Sequence, residues 1–199
     1  MDIVCIFKER SSSSMLSTKK EKELLRRCRR GDQQAQMEVY DRFYHAMFNT
    51  ALRIVKEPQE AEDVMQEAFL KAFSKLHTFK GESSFGTWLK RIVANQSIVA
   101  YRRIKAKQEV SLDHARPYEV SEPQGLALEE ESYNPRFNLA IRSLENLRES
   151  YRIILTLNLI EGFDQQEICE ILKITPANCR TTLSRARESL RKKILSYEE

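Results

Sequence analysis

The chain has 199 residues, enough for one or two domains with cores of their own, and 41% of them are hydrophobic, as in an ordinary water-soluble protein. Only five glycines and five prolines occur among many Leu, Glu, Lys and Arg residues, which indicates a largely helical chain. No apolar run approaches the roughly 20 residues that span a bilayer, and the apolar N-terminal stretch is too short for a secretory signal, so we expect a cytoplasmic protein without membrane insertion.

The net charge of +4 is unevenly distributed along the chain. Residues 20–107 carry 18 basic and 11 acidic side chains, whereas residues 108–137 carry 2 basic and 7 acidic ones together with three prolines. This contrast indicates two helical domains, at 20–107 and 135–199, joined by a flexible acidic linker at 108–134. Residues before the first domain, 1–19, are expected to be a disordered extension, in which Met15 is a second candidate for the translation start.

The N-terminal domain begins with three predicted helices. Residues 20–30 form a short charged helix that ends at Gly31, and residues 33–56 form a long one with a broad apolar face. Pro58 closes the connection to a third helix, at residues 60–76. That third helix carries an apolar stripe and, beside it, a polar ridge formed by Asp63, Gln66, Glu67 and Leu70. Such a ridge on a basic domain is either a solvated face or an interface with another protein.

The next segment, residues 79–107, combines a loop with a basic helix. Gly81 permits a bend and Ser83 or Ser84 can cap the helix that follows. One side of this helix aligns Arg91, Asn95, Arg102 and Lys105. A basic face headed by an aromatic-rich loop suits single-stranded nucleic acid, and the alternative is a solvated basic helix; we assign Trp88 to the core.

A break in the helical pattern near the C-terminus predicts two short helices. Asp164 and Glu167 have the capping-box spacing at the start of the first, and Thr175 can cap a second that begins at Pro176. The second helix has an apolar face at helical spacing, with Arg180, Thr181, Ser184 and Arg185 pointing away from it. This layout is typical of a helix-turn-helix that offers side chains to DNA, and an amphipathic hairpin packed within the domain is the alternative.

The sequence shows no residue pattern typical of a metal site, a catalytic site or a phosphate-binding loop. The four cysteines, at 5, 28, 169 and 179, show no zinc-binding spacing and no close pair, so we expect free thiols that pack as small apolar side chains. The three histidines have no neighbouring ligand or nucleophile pattern, and no glycine-rich phosphate loop is present. We therefore expect neither an enzyme nor a metal or cofactor site.

These segments, in this order, resemble the RNA polymerase sigma factors of the sigma-70 family, specifically the two-domain extracytoplasmic-function (ECF) group. The resemblance covers residues 24–195 and rests on AEDVMQEAFLKAF, on FKGESSFGTWLKRIVAN followed by RR, and on EGFDQQEICEIL with CRTTLSRARESLRKKI. It implies an all-α fold in which a region 2 helical bundle and a region 4 helix-turn-helix domain are joined by the acidic linker. It also implies a transcription initiation factor that binds core RNA polymerase at its clamp and flap, reads the minus-10 and minus-35 promoter elements and assists strand opening.

The resemblance further implies roles for individual residues. The polymerase clamp is expected to contact Asp63, Gln66, Glu67 and Leu70. The minus-10 element is expected to be read by Phe79, Lys80, Gly81, Ser83, Phe85, Arg91, Asn95, Arg102 and Arg103. The minus-35 element is expected to be read by Pro176, Asn178, Arg180, Thr181, Ser184 and Arg185.

Several positions depart from the pattern common in this family, among them the following three. Val99 stands where many relatives carry Asp or Asn, Lys173 replaces a glycine frequent in the turn, and Thr182 replaces a common Arg. A left-handed conformation at Lys173 costs a non-glycine residue about 1 kcal/mol. These departures concern promoter preference rather than the general function.

The resemblance also implies an anti-sigma factor, often membrane-anchored, as a regulatory partner, and a monomeric protein when no partner is bound. The alternative function is that of a free-standing helix-turn-helix repressor or activator. Such a regulator usually dimerises over a palindromic site. It has no need for the polar ridge of the N-terminal domain.

Overall fold

The computed structural model describes residues 19–112 and 135–197, and every regular element in these two ranges is helical. The predicted all-α fold is thereby confirmed. Residues 1–18 of the predicted extension, residues 113–134 of the predicted linker and residues 198–199 lie outside this description. The chain divides into two compact units on either side of Ile104 and Lys105.

The N-terminal unit contains helices α1 (Lys19–Arg29), α2 (Gln33–Val55), α3 (Pro58–Ser74) and α4 (Phe85–Leu112) as far as Ile104, with a short 3-10 turn at Leu76–Thr78; the end of α4 belongs to the second unit. The third helix starts two residues earlier than predicted because its proline occupies a first-turn position, where the missing N–H costs nothing. Its predicted apolar stripe faces inward, and the buried members are Ala61, Val64, Met65, Ala68, Phe69 and Ala72.

Local capping accounts for the starts of α2 and α4. The Asp32 carboxylate accepts the Ala35 N–H at 3.1 Å at the start of α2 and also accepts a hydrogen bond from Arg27 Nε at 2.8 Å. The Ser84 hydroxyl oxygen accepts the Thr87 N–H at 3.1 Å, so Ser84 caps α4 as one of the two predicted candidates. These bonds satisfy amides that have no partner within a helix.

The C-terminal unit contains α5 (Pro135–Glu145), α6 (Glu149–Leu155), a π-helical segment (Thr156–Ile160), α7 (Gln165–Leu172) and α8 (Pro176–Leu195). The predicted start signals of the last two helices are confirmed. Asp164 and Glu167 form a capping box, and the Thr175 hydroxyl accepts the Asn178 N–H at 3.3 Å. The apolar face predicted for α8 is buried throughout, comprising Cys179, Leu183, Ala186, Leu190 and Ile194.

The turn between α7 and α8 is left-handed at Lys173, with φ 56° and ψ 46°. The Lys173 N–H donates to the Cys169 carbonyl, and this bond ends α7. The left-handed conformation that the resemblance implies is therefore present, and Lys173 adopts it with the strain that a β-carbon brings.

Candidate nucleic-acid interface

The outer side of α3 carries the predicted polar ridge, here called the acidic ridge and defined as Asp63, Gln66, Glu67 and Leu70. All four residues are exposed, while the opposite side of α3 is buried in the core. Leu70 is 71% exposed, although it is a large apolar residue. An exposed leucine flanked by carboxylates is a surface that a partner protein can cover, because the apolar side chain gains from burial and the charges select a basic partner.

The loop at residues 79–85, predicted to contact the minus-10 element and for that reason called the minus-10 loop, is anchored at both ends by aromatic packing. The Phe79 and Phe85 ring centroids lie 5.7 Å apart, and the Trp88 ring lies 5.4 Å from the first and 5.6 Å from the second. Phe85 is fully buried and Phe79 is 8% exposed, so these two predicted site residues face the core. The predicted residues that the loop presents to solvent are Lys80, Gly81 and Ser83.

Two glycines shape this region for different reasons. Gly81 has φ +80°, a conformation that residues with a β-carbon rarely adopt, although a β-carbon there would meet no atom within 4 Å. Gly86 lies against the Phe43 ring, where a β-carbon would come 3.0 Å from Phe43 Cε1. The bend of the loop thus depends on the backbone freedom of Gly81, and the close approach of α4 to α2 depends on the small size of Gly86.

Arg29, at the end of α1, holds the segment that leads into the minus-10 loop. Its Nη2 donates to the Phe79 carbonyl at 2.7 Å and its Nε donates to the Leu76 carbonyl at 3.2 Å. A charged donor bound to two carbonyls fixes both the position and the direction of this turn. The sequence does not predict this contact, because the partners are 47 and 50 residues from Arg29.

The basic face of α4 is defined here as Arg91, Asn95, Val99, Arg102 and Arg103. Lys105, which aligns with this face in the sequence, belongs to the C-terminal unit and pairs there with Glu149. Val99, Arg102 and Arg103 are exposed, whereas the first two residues of the face are half-buried. The Asn95 amide donates to the Arg91 carbonyl at 2.8 Å, and Arg103 Nη2 donates to the Glu60 carboxylate at 2.7 Å. Because the Arg103 side chain is about half exposed, its ion pair contributes little stability, and a phosphate can replace the carboxylate.

The face of α8 that points away from the core presents all six residues predicted for the minus-35 element. Each of them is exposed. The Asn178 side-chain carbonyl accepts the Thr182 hydroxyl at 3.0 Å, and the Thr181 hydroxyl donates to the Ala177 carbonyl at 3.0 Å. The two arginines on this face, Arg180 and Arg185, are long enough to reach base edges or phosphates beyond these short polar side chains.

The rear of α8 is joined to the π-helical segment by a polar chain that sequence patterns do not predict. Arg187 Nη2 donates to the Asn158 side-chain carbonyl at 2.8 Å, and the Asn158 amide donates to the Phe163 carbonyl at 3.1 Å. Phe163 is buried and directly precedes Asp164, the cap of α7. These hydrogen bonds therefore link α8 to the residue that precedes the start of α7.

The cysteines are free thiols where the structure describes them, at Cys28, Cys169 and Cys179. Cys179 is fully buried, and this burial together with the neighbouring Cys169 thiol raises the pKa of Cys179 to about 11. A thiol with this pKa is protonated and unreactive near neutral pH. The two residues are ten apart in the sequence and belong to different helices, so their proximity was not predicted from spacing.

Two further features bear on function. Within residues 19–112 and 135–197 no three side chains of His, Cys, Asp or Glu come together in a way that could hold a metal ion. No helix in the same ranges is long and apolar enough to cross a membrane.

Comparison with known families gives two matches in chain order. Residues 39–107 match Sigma-70 region 2, and residues 138–190 match Sigma-70, region 4. The first match contains the acidic ridge, the minus-10 loop and the basic face of α4. The second contains the helix-turn-helix.

Individual relatives match nearly the whole chain. The RNA polymerase sigma-H factor of Pseudomonas aeruginosa is 30% identical over 188 residues, covering 89% of this chain and 95% of that protein. The ECF RNA polymerase sigma-E factor of Escherichia coli strain K12 is 32% identical over 181 residues, covering 86% and 92% respectively.

Solved structures share the fold at lower identity. CnrH, solved in complex with the cytosolic domain of CnrY, matches with a TM-score of 0.52 and 22% identity over 88% of this chain and 97% of that chain. The sigma factor RpoE of Bartonella quintana, solved with the anti-sigma factor NepR, matches with a TM-score of 0.53 and 20% identity over 82% and 98%.

Proposed function

The chain belongs to the ECF group of sigma-70 family RNA polymerase sigma factors, and we propose that three of its surfaces direct core polymerase to promoters. It is a transcription initiation factor and not an enzyme. The three surfaces are the acidic ridge, the minus-10 loop with the basic face of α4, and the exposed face of α8. A free-standing repressor or activator is not favoured, because the relatives match both units and not the helix-turn-helix alone.

The exposed face of α8 is the observation that carries the promoter-reading part of this proposal. Its apolar side is fully used in the core of the C-terminal unit, so the polar side remains for a partner. Arginine bound to a guanine edge and short hydroxyl side chains bound to bases or phosphates are the usual means of reading the major groove. Arg180 and Arg185 are therefore our candidates for base contacts in the minus-35 element.

The minus-10 loop suits capture of an unstacked base. Phe79 and Phe85 hold the ends of the loop from the core side, and Lys80, Gly81 and Ser83 are exposed between them. Removing a base from the stack costs a few kcal/mol, which binding in a preformed site offsets. The phenylalanines thus act by holding the loop, and the exposed residues together with the basic face of α4 contact the DNA.

The acidic ridge is proposed as the surface that docks on core polymerase. Leu70 supplies apolar area at its edge, and Asp63 and Glu67 supply the charge that selects a basic partner. Reversing the charge at one carboxylate places like charges together at the interface. We expect Glu67→Lys to weaken core binding by about tenfold or more, with little effect on folding.

We also infer that an anti-sigma factor regulates this protein in the cytoplasm, whether that regulator is membrane-anchored or not. Support comes from the related RpoE of Bartonella quintana, which was solved with an anti-sigma factor. A regulator that covers the acidic ridge would exclude core polymerase, and we expect the two to compete for the purified protein in that case.

The test combines the purified full chain, core RNA polymerase and promoters found by mapping transcription starts after overexpression. We expect initiation only when both proteins are present. Glu67→Lys is compared with Glu38→Lys, which reverses an exposed carboxylate on α2, and Arg185→Ala with Lys192→Ala, which removes an exposed charge near the end of α8. Tight footprinting on duplex DNA by the protein alone, without any binding to core polymerase, contradicts the proposed function.

A further inference from the structure

Val99 is an apolar side chain in the middle of the basic face of α4, and it is 62% exposed. Apolar residues elsewhere on this helix, such as Leu89, Val93 and Ile98, are buried. An exposed valine buries little surface, and it is a poorer helix former than alanine because its branched side chain loses rotamer freedom. Folding of the N-terminal unit therefore gains little from valine at this position.

The neighbours of Val99 define what it can contact. Asn95 lies one turn before it, and Arg102 and Arg103 lie one turn after it. Residues three or four apart on a helix have Cβ atoms about 5–6 Å apart. A molecule that touches Val99 is therefore also within reach of an amide and of guanidinium groups, which bind bases and phosphates.

Valine has no hydrogen-bonding group, so it gains nothing from the donors and acceptors of base edges. The apolar group that base edges offer is the 5-methyl group of thymine. We propose that Val99 contacts the methyl group of one thymine in the minus-10 element and makes promoter recognition depend on that base. This inference rests on the proposed function of the basic face of α4 and specifies the chemical group that this face selects.

The experiment uses holoenzyme assembled from core polymerase and the full chain, with a promoter library randomised across the minus-10 element. We expect wild-type holoenzyme to enrich thymine at one position and Val99→Ala to lose that enrichment. Replacing this thymine by deoxyuridine removes only the methyl group, and it should lower open-complex formation by wild-type holoenzyme about fourfold, the effect of one buried methyl. Val99→Ala holoenzyme should use the two bases equally.

Two variants serve as controls. Val99→Ile keeps a branched apolar side chain and should retain the preference for thymine over uracil. Met37→Ala removes an exposed apolar side chain of the same unit, on α2, and should also retain it.

The proposal is overturned if wild-type holoenzyme enriches no thymine, if it uses thymine and uracil equally at every position, or if Val99→Ala keeps the methyl dependence. In each of these cases open complexes still form, and the proposed function stands. Failure of wild-type holoenzyme to form open complexes on any promoter of the library overturns the proposed function as well, so the two failures are distinguishable.

Discussion

Replacing Lys173 by glycine should stabilise the C-terminal unit. Lys173 is an exposed residue with a left-handed backbone, and its N–H ends α7 by bonding to the Cys169 carbonyl. Glycine adopts the same conformation without the clash of a β-carbon and keeps the N–H. The substitution therefore removes strain without removing the hydrogen bond that depends on the turn.

The size of the effect follows from two opposing contributions. Relief of the left-handed strain contributes about 1–2 kcal/mol. The greater freedom of glycine in the unfolded chain takes back about 0.4–1 kcal/mol. The mid-range values, about 1.5 and 0.7 kcal/mol, leave a net gain of about 0.8 kcal/mol, which for a unit of this size raises the Tm by about 3–6 °C.

Thermal unfolding of the full chain separates the two units, because its single tryptophan, Trp88, lies in the N-terminal one. Far-UV circular dichroism should show the higher Tm of Lys173→Gly, while the transition followed by Trp88 fluorescence stays unchanged. Lys173→Ala is the matched control, since it removes the charge but keeps the β-carbon, and it should give no gain. The reasoning is refuted if the glycine variant is no more stable than the alanine variant.

Other variants test contacts that the structure places behind the DNA-facing surfaces. Arg29→Ala should weaken holoenzyme binding to a single-stranded minus-10 oligonucleotide about tenfold by freeing the loop, and Arg29→Lys should restore part of it; unchanged binding would contradict this role. Asn158→Ala should destabilise the C-terminal unit by about 1–3 kcal/mol in urea, because it leaves Arg187 without its partner, and adding Arg187→Met should recover part of the loss. The pKa of Cys179 is about 11, so its alkylation in the native protein should be negligible at pH 8 and rise only above about pH 10; fast labelling at pH 8 would contradict the buried, protonated thiol.

The helix-turn-helix could be predicted in detail because its signals are local. The capping box of Asp164 and Glu167 and the cap of Thr175 before Pro176 each involve residues no more than three apart, and all are present. The left-handed turn at Lys173, in contrast, was expected only from the resemblance, because relatives frequently carry glycine at this position. Sequence spacing is sufficient wherever both partners of an interaction lie within one turn of helix.

The burial of the two phenylalanines of the minus-10 loop was not predicted from the sequence. Its two phenylalanines were assigned to DNA contact, yet Phe85 is fully buried and Phe79 nearly so. An aromatic residue in a loop can be an anchor or a binding platform, and a sequence pattern does not distinguish the two. The deciding information is the packing of the Trp88 ring of α4 against both phenylalanines and the bond that Arg29 makes to the Phe79 carbonyl from α1.

Counting basic residues therefore overestimates the charge that faces DNA. Two arginines bind acceptors within the protein: Arg29 donates to two backbone carbonyls, and Arg187 donates to the side chain of Asn158. Each bond spans many residues and holds the rear of a surface whose front is proposed to read DNA. Tight recognition requires side chains that are held in place before binding. An arginine that holds the backbone behind the DNA-facing surface can therefore affect affinity as much as one that contacts a phosphate. The two kinds differ in their dependence on salt: losing Arg185 from the exposed face of α8 removes a counterion-releasing charge, whereas losing Arg187 removes order and leaves the salt dependence of binding nearly unchanged.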